Sequence, residues 1–374
     1  MGRVPEPLDI ITGKHPRSLN EGCAAVCGEG NSHSGGRHDL EKSQHKRYLL
    51  EGNRGHREET RMARILALLC SGRRQGYTAQ VMEAAVEGMR SVEGVEVEVV
   101  HAFRYRFAPC NSCFTCIRNP GCGCVLDDDM GRRGEGELYR KVTRAHGLFL
   151  ADPVHGWGPT AMAHLFFERL YPTLWTGELQ GMPFASVSVA TNQGMQRLAH
   201  HNIVKWAFCA GMIYIGGLPV HASYLQEALG EARKIGVRLG EAALKDANEG
   251  RHPFASDADR FIAYMGKPWE VLPHYLDNLT NGTMELECSL PARALAEGTF
   301  SNPEAVELLE KTKESLALTL TAYRAGDLVE ANRLLAKASA YWTHATWKEF
   351  LEENVIGAKQ PPAYRPLPTE ENAC

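Results

Sequence analysis

The stretch "RILALLCSGRRQGYTAQVMEAAVEGMRSV", residues 64–92, decides the fold class. It opens on an uninterrupted apolar run, Ile65 to Cys70, closed by Ser71 and Gly72, the pattern of a strand covered on both faces. Residues 77–92 then carry Val81, Ala85, Met89 and Val92 at helical spacing, one stripe of an amphipathic helix. Past the helix, "VEVEVVHA" (95–102) alternates strictly, which marks a second strand. A fully covered strand joined to the next through a helix requires parallel pairing and a right-handed crossover.

The same rhythm continues outward. "GELYRKVTRA" predicts a helix, "GLFLADPV" (147–154) a strand, "TAMAHLFFERLYPTLW" one helix and "PFASVSVAT" a strand. "MQRLAHHNIVKWAFCA" predicts a helix, "GMIYIGGLPV" a strand and "SYLQEALGEARKIGVRLGEAALK" a long closing helix. The expected fold is α/β, a three-layer doubly wound parallel sheet over residues 62–247. Residues 1–61, rich in Gly, His, Arg and Ser and without a sustained apolar period, read as a disordered leader. Ordered pattern starts abruptly at Met62, which makes Met62 a candidate for the native start. Residues 248–374 are expected to form an irregular connector, a helical hairpin over 302–355 jointed at "RAGD", and a Pro-rich tail. Trp342 and Trp347 on that hairpin are expected to pack against the main domain or a second subunit.

The chain of 374 residues is long enough for a large core, with 44% hydrophobic and 23% charged residues and a formal net charge of -4. That balance fits a soluble globular protein and carries no nucleic-acid footprint. Its apolar runs fall well short of a membrane span, and no secretory signal core follows the N-terminus. A cytoplasmic location is therefore expected. There, eleven cysteines speak for metal binding or redox chemistry rather than a disulfide framework.

In doubly wound sheets ligands bind at the carboxyl ends of the strands. The first such end is "CSGRRQGYT", 70–78. Ser71, Tyr77 and Thr78 supply hydroxyls, Gly72 and Gly76 let the backbone N–H groups turn inward, Arg73 or Arg74 adds charge, and the following helix directs its positive end at the loop. This suits a phosphate monoester. It matches neither G-x-G-x-x-G nor the Lys-containing P-loop, which disfavours a dinucleotide or ATP.

The loop resembles the "G-S-P-R-x-x-G-x-T" phosphate loop of the flavodoxin-like NAD(P)H-dependent FMN reductases, with Ser71, Arg73, Gly76 and Thr78 matching and Cys70 and Gly72 replacing Gly and Pro. "DPVHGWGPTAMAHLFFERL" (152–170) resembles the family's flavin loop and helix, retaining Pro153, Val154 and Arg169, with His155 in the place of a Tyr. "ATNQGMQ" (190–196) stands where the family has its loop after the fourth strand. The resemblance implies a flavodoxin-like fold and FMN as cofactor. It also implies that Pro153, Val154, His155, Gly156, Trp157 and Gly158 lie against the isoalloxazine ring, with Thr191, Asn192, Gln193 and Gly194 nearby. Flavin N5 would then carry the chemistry, so no side chain is expected to be catalytic.

"PCNSCFTCIRNPGCGCVLDDDM" (109–130) covers most of the cysteine loop, 108–126, and the residues that follow it. Cys110, Cys113 and Cys116 form C-x2-C-x2-C, which lets three thiolates converge from one tight loop, as iron-sulfur clusters require. Structural zinc normally takes a second, separated pair, which is missing here. The loop resembles that of the iron-sulfur flavoproteins, in which a fourth cysteine directly precedes "V-I-x-D-D-M". That resemblance implies a 4Fe-4S cluster on Cys110, Cys113, Cys116 and Cys124, with Cys122 as the competing fourth ligand. Asp127 to Asp129 are expected to start a helix and cap its N–H groups. His200 and His201, about 100° apart on a helix, are not expected to share a metal ion, and a solvated or inter-subunit role is expected for them.

Together these point to an FMN-dependent oxidoreductase passing electrons between NAD(P)H or a ferredoxin-like donor and a small-molecule or protein acceptor, through FMN and a 4Fe-4S cluster. The resemblance further implies a homodimer or homotetramer. Two alternatives stand beside it: a cluster-free NAD(P)H-dependent reductase of flavin, quinone, azo or nitro compounds, and a flavin-binding carrier that docks a partner protein.

Overall fold

A computed structural model describes residues 62–352. The proposed leader and the Pro-rich tail lie outside the described residues, as do Cys23, Cys27 and Cys374. The order of elements is β1 (Ala63–Leu69), α1 (Tyr77–Arg90), β2 (Val95–His101), α2 (Thr115–Arg118), α3 (Glu137–Thr143), β3 (Gly147–Pro153), α4 (Ala161–Arg169) and α5 (Tyr171–Thr176). Then follow β4 (Pro183–Ala190), α6 (Gln196–Cys209), β5 (Ile213–His221) and α7 (Leu225–Glu249). Five further α-helices follow among the described residues: α8 (Asp257–Ala263), α9 (Val271–Leu279), α10 (Leu290–Glu297), α11 (Pro303–Arg324) and α12 (Leu328–Thr346).

The five strands form one sheet in the order β2-β1-β3-β4-β5, and every pairing is parallel. The chain moves outward from β1 to β2, then returns across β1 to β3, so the switch point lies between β1 and β3. The fold is α/β and flavodoxin-like, with a helical region at its C-terminal end. Ile65, Ala67, Phe149, Ala151 and Val187 face one way and pack under α1 and α7. Leu66, Leu68, Leu148, Leu150 and Phe184 face the other and pack under α3, α4 and α6. Strand alternation thus fills two cores, one on each side of the sheet.

Helices α1 and α7 meet through glycines. A Cβ on Gly236 would stand 2.0 Å from the Ala85 carbonyl oxygen, and one on Gly88 2.1 Å from that of Arg233. Only residues without a side chain permit so close an approach of two backbones.

Three expectations are corrected. The helix read through 160–175 is two helices, broken at Leu170, because Pro172 cannot donate to the fourth carbonyl back. The connector after residue 248 is not irregular: α8, α9 and α10 are short helices, and Ser256 and Ser289 cap the first and last of them. The aspartates 127–129 do not start a helix, since α3 begins only at Glu137. Gly131 and Gly136 fold the intervening chain back on itself. A Cβ at either would meet a backbone oxygen at 2.0 or 2.5 Å.

The C-terminal helices pack on α6. Val204 and Phe208 of α6 share a core with Phe261, Tyr264, Leu276, Leu316 and Leu335. Beyond α12 a π-helical turn, Trp347–Leu351, sets Trp347 against Trp175 at 5.5 Å between ring centroids. Both tryptophans pack with Ile117 of the cysteine loop, and Cys116 lies against them. Among the described residues no helix is long and apolar enough to cross a membrane.

Candidate functional site

Three loops leave the carboxyl ends of β1, β3 and β4. In the first, Ser71 is buried and its Oγ accepts the Arg73 N–H at 3.1 Å. Gly76 is the N-cap of α1, with extended backbone and no side chain capping the helix. The first-turn N–H groups are thereby left for an outside acceptor. Thr78 is buried beneath them, while Tyr77 and Arg73 are exposed.

In the second loop, β3 runs out through Pro153, and the Val154 N–H donates to the Val189 carbonyl at 2.9 Å. His155 and Gly158 then exchange two hydrogen bonds of 3.0 Å. Gly156 and Trp157 between them have φ of 55° and 67°, a two-residue turn of the primed type. Trp157 is 51% exposed, and its indole Nε1–H donates to Gln193 Oε1 at 3.2 Å. That bond ties the second loop to the third. There Asn192 and Gly194 have positive φ, the Gly194 N–H meets the Thr191 carbonyl at 3.4 Å, and His221 Nε2 lies 3.1 Å from the Asn192 carbonyl. His221, at the end of β5, is a site residue that sequence reasoning missed.

The cysteine loop follows β2. Ser112 and Phe114 sit in the left-handed region, with φ of 52° and 56°. Alternating backbone hands of this kind turn N–H groups toward one concave side. The Ser112 N–H donates to Cys110 Sγ at 3.4 Å, and Thr115 Oγ1 donates to Cys113 Sγ at 3.4 Å. Arg169 Nη2 donates to Cys124 Sγ at 3.3 Å. Cys122 behaves in the opposite sense: its thiol donates to the carbonyls of Gly123 at 3.3 Å and Thr115 at 3.7 Å. Burial pushes the Cys116 thiol up to about 12, and the neighbouring Cys124, Cys110 and Cys113 push in the same direction. Cys116 therefore has the other three thiols as electrostatic neighbours. Among the described residues no three such ligands stand close enough to hold a single metal ion.

Arg169 fastens this loop at both ends. Its side chain is 1% exposed and donates to the Ala108 carbonyl at 2.6 Å, to both Asp128 carboxylate oxygens at 2.6 and 2.9 Å, and to Cys124. Burial works against the Asp128 carboxylate, but Arg169 and the Ala108 N–H outweigh it and hold its carboxyl below the usual range. Asp129 accepts the Arg106 N–H at 2.7 Å, and Asp127 pairs with Arg132 at 2.7 Å. The three aspartates therefore brace the loop exit. His200 is not solvated either: it is buried, with Nε2 at 2.9 Å from the Tyr214 hydroxyl.

With β-order, loops and helix end in place, the chain matches a known family. Its residues 63–225 fit the model of the NADPH-dependent FMN reductases. That match takes in somewhat less than half of the chain and is a likeness of this segment alone. Among solved structures, a flavone reductase aligns over 50% of this chain and 65% of its own at 18% identity, with a TM-score of 0.38. The NAD(P)H:quinone oxidoreductase of Methanothermobacter marburgensis aligns over 47% and 95% at 20% identity, TM-score 0.35. A flavodoxin-type, WrbA-like protein of Agrobacterium tumefaciens aligns over 48% and 97% at 14% identity, TM-score 0.33. The chain thus spans about two thirds of the flavone reductase. No curated protein matches it by sequence.

The matched segment also holds a buried acid that sequence reasoning missed. Asp152 is fully buried at the end of β3. It accepts the Thr160 hydroxyl at 2.6 Å and the Thr160 N–H at 3.0 Å, closing the base of the loop 153–159. Thr160 Oγ1 also reaches the Cys70 carbonyl at 3.4 Å, which links this loop to the first. Burial raises the Asp152 carboxyl to about 7, although the Thr160 hydrogen bonds oppose the shift. The "DP" of 152–153 gave no hint of this, because the partner is eight residues away.

Proposed function

We propose that the protein is an FMN-dependent oxidoreductase of iron-sulfur flavoprotein type, reduced by NAD(P)H, with a 4Fe-4S cluster on Cys110, Cys113, Cys116 and Cys124. The observation that carries the cluster is the opposite hydrogen bonding of the sulfurs. Cys110, Cys113 and Cys124 accept donors at sulfur, as cluster thiolates do. Cys122 keeps its proton for carbonyl oxygens and stands aside.

The residues of the other loops fit FMN. Ser71, Arg73, Gly76, Tyr77 and Thr78 would hold its phosphate at the uncapped start of α1. The loop Pro153 to Gly158 and the loop Thr191 to Gly194, joined by the Trp157 to Gln193 bond, would flank its ring. Bound there, FMN supplies hydride and single-electron exchange, and the chain's part is to orient it, exclude water and present N–H groups to its developing charge.

The test is metal and flavin content of the full chain purified without oxygen. About four irons and one FMN per chain are expected. Cys124→Ser should remove the iron and spare the FMN, and Cys122→Ser should keep both. Stoichiometric zinc without iron overturns the cluster, and a chain that takes up no FMN overturns the whole reading. A second reading, a cluster-free reductase, draws on the free cysteines of the loop and predicts FMN without any metal.

A further inference from the structure

Outside the three loops, a cavity of about 650 Å³ opens between α6 and the chain around α9. Arg197, His200 and His201 line it from α6, and Lys267, Glu270 and His274 from the opposite wall. The wall is basic. Glu270 is already engaged, accepting the Gly266 N–H at 2.8 Å. Arg197 and Lys267 have no side-chain partner among the described residues. His274 is held flat on Trp269, ring centroids 5.2 Å apart and 9° between planes. Fully buried His200 has Nε2 on Tyr214, but its Nδ1 has no partner. Burial, Arg197 and His274 all disfavour a charge on His201, which is what an uncompensated cluster of cations does to its neighbours.

The cavity's position matters as much as its charge. Helix α6 begins two residues after Gly194 of the third loop, so Arg197 stands in its first turn, beside the ring-flanking residues. The opposite wall, 266–274, comes from chain beyond the 63–225 match. The cavity is therefore an addition to the family domain, placed next to the expected flavin. Its size lies within the range of small-molecule sites, about 300–1,000 Å³, room for more than a phosphate group alone.

We propose that this cavity binds the 2′-phosphate and adjoining adenosine of NADPH, and so sets the selectivity of the chain for NADPH over NADH; the proposal rests on the flavin reading above. A phosphate monoester carries about -1.5 to -2 charges at neutral pH. Arg197 offers a planar fork, Lys267 a point charge, and His201 and His274 further donors.

The experiment uses the full chain loaded with FMN. Adenosine 2′,5′-bisphosphate is titrated against the fluorescence of Trp269, which lies under His274, with 5′-AMP as the comparison. The bisphosphate should bind about tenfold or more tightly than 5′-AMP, the worth of one charge-assisted hydrogen bond or more. Arg197→Ala with Lys267→Ala should abolish that advantage and raise the KM for NADPH so that the NADPH-to-NADH preference falls about tenfold or more. Arg197→Lys with Lys267→Arg should restore a good part of it. Equal binding of the two nucleotides, or an unchanged NADPH-to-NADH preference in the alanine pair, overturns the proposal. FMN content is read in the same samples. Its loss speaks against the flavin reading, whereas normal FMN with no bisphosphate binding speaks against this cavity alone.

Discussion

A carboxylate buried with two hydrogen bonds and no cation is costly to ionise, and Asp152 is such a group. Its folded value of about 7 lies above the ordinary carboxyl range near ~4, so the folded state binds this proton more tightly than the unfolded chain does. The resulting stabilisation is full below pH ~4 and is lost as pH rises toward 7. Asp152→Asn should flatten that slope: between pH 4 and pH 8 the urea midpoint of the wild type should fall relative to the variant. Parallel curves for the two proteins would exclude a protonated Asp152. Arg169 is the converse case, a buried cation whose removal strands the Asp128 carboxylate. Arg169→Met should cost about 3–5 kcal/mol in urea unfolding, and the thiols of the loop should react faster with a disulfide reagent. A change below 1 kcal/mol would mean that the pair behaves as a surface bridge.

Between elements, the contact of α1 with α7 sets two effects against each other. Alanine in place of a helical glycine favours the helix by about 1 kcal/mol. At Gly236, however, the added Cβ would stand 2.0 Å from the Ala85 carbonyl oxygen, and forcing two packed backbones apart costs about 1–3 kcal/mol. Gly236→Ala should therefore lower the thermal midpoint, whereas at Gly230, where nothing lies within 4 Å, the same change should raise it. The elements themselves were legible because burial on two faces leaves apolar runs and alternation along the chain. The turn from β1 into α1 was legible as well, since it is contiguous from Ser71 to Thr78. Less was readable where structure depends on distant partners or on glycine geometry. The Arg169 clamp joins residues 41 and 61 positions apart, Gly131 and Gly136 cancel the helix that the aspartates suggested, and the helices after residue 248 have too few turns for their periodicity to stand out.

At the scale of the whole molecule, the C-terminal helices end on the cysteine loop through Trp347, which is 7% exposed. Trp347→Ala should destabilise the chain by about 3–5 kcal/mol and speed modification of Cys116, measured by peptide mapping after brief labelling. A labelling rate equal to the wild type's would show that Trp347 does not cover that thiol. The same contact orders events in time. Trp347 leaves the ribosome roughly 230 residues after Cys116, which at about 5–20 residues per second is ~10–50 s. Throughout that interval the sheet can assemble while the cysteine loop lies uncovered on the Trp347 side. The last of the described helices is thus also the door that shuts over the loop.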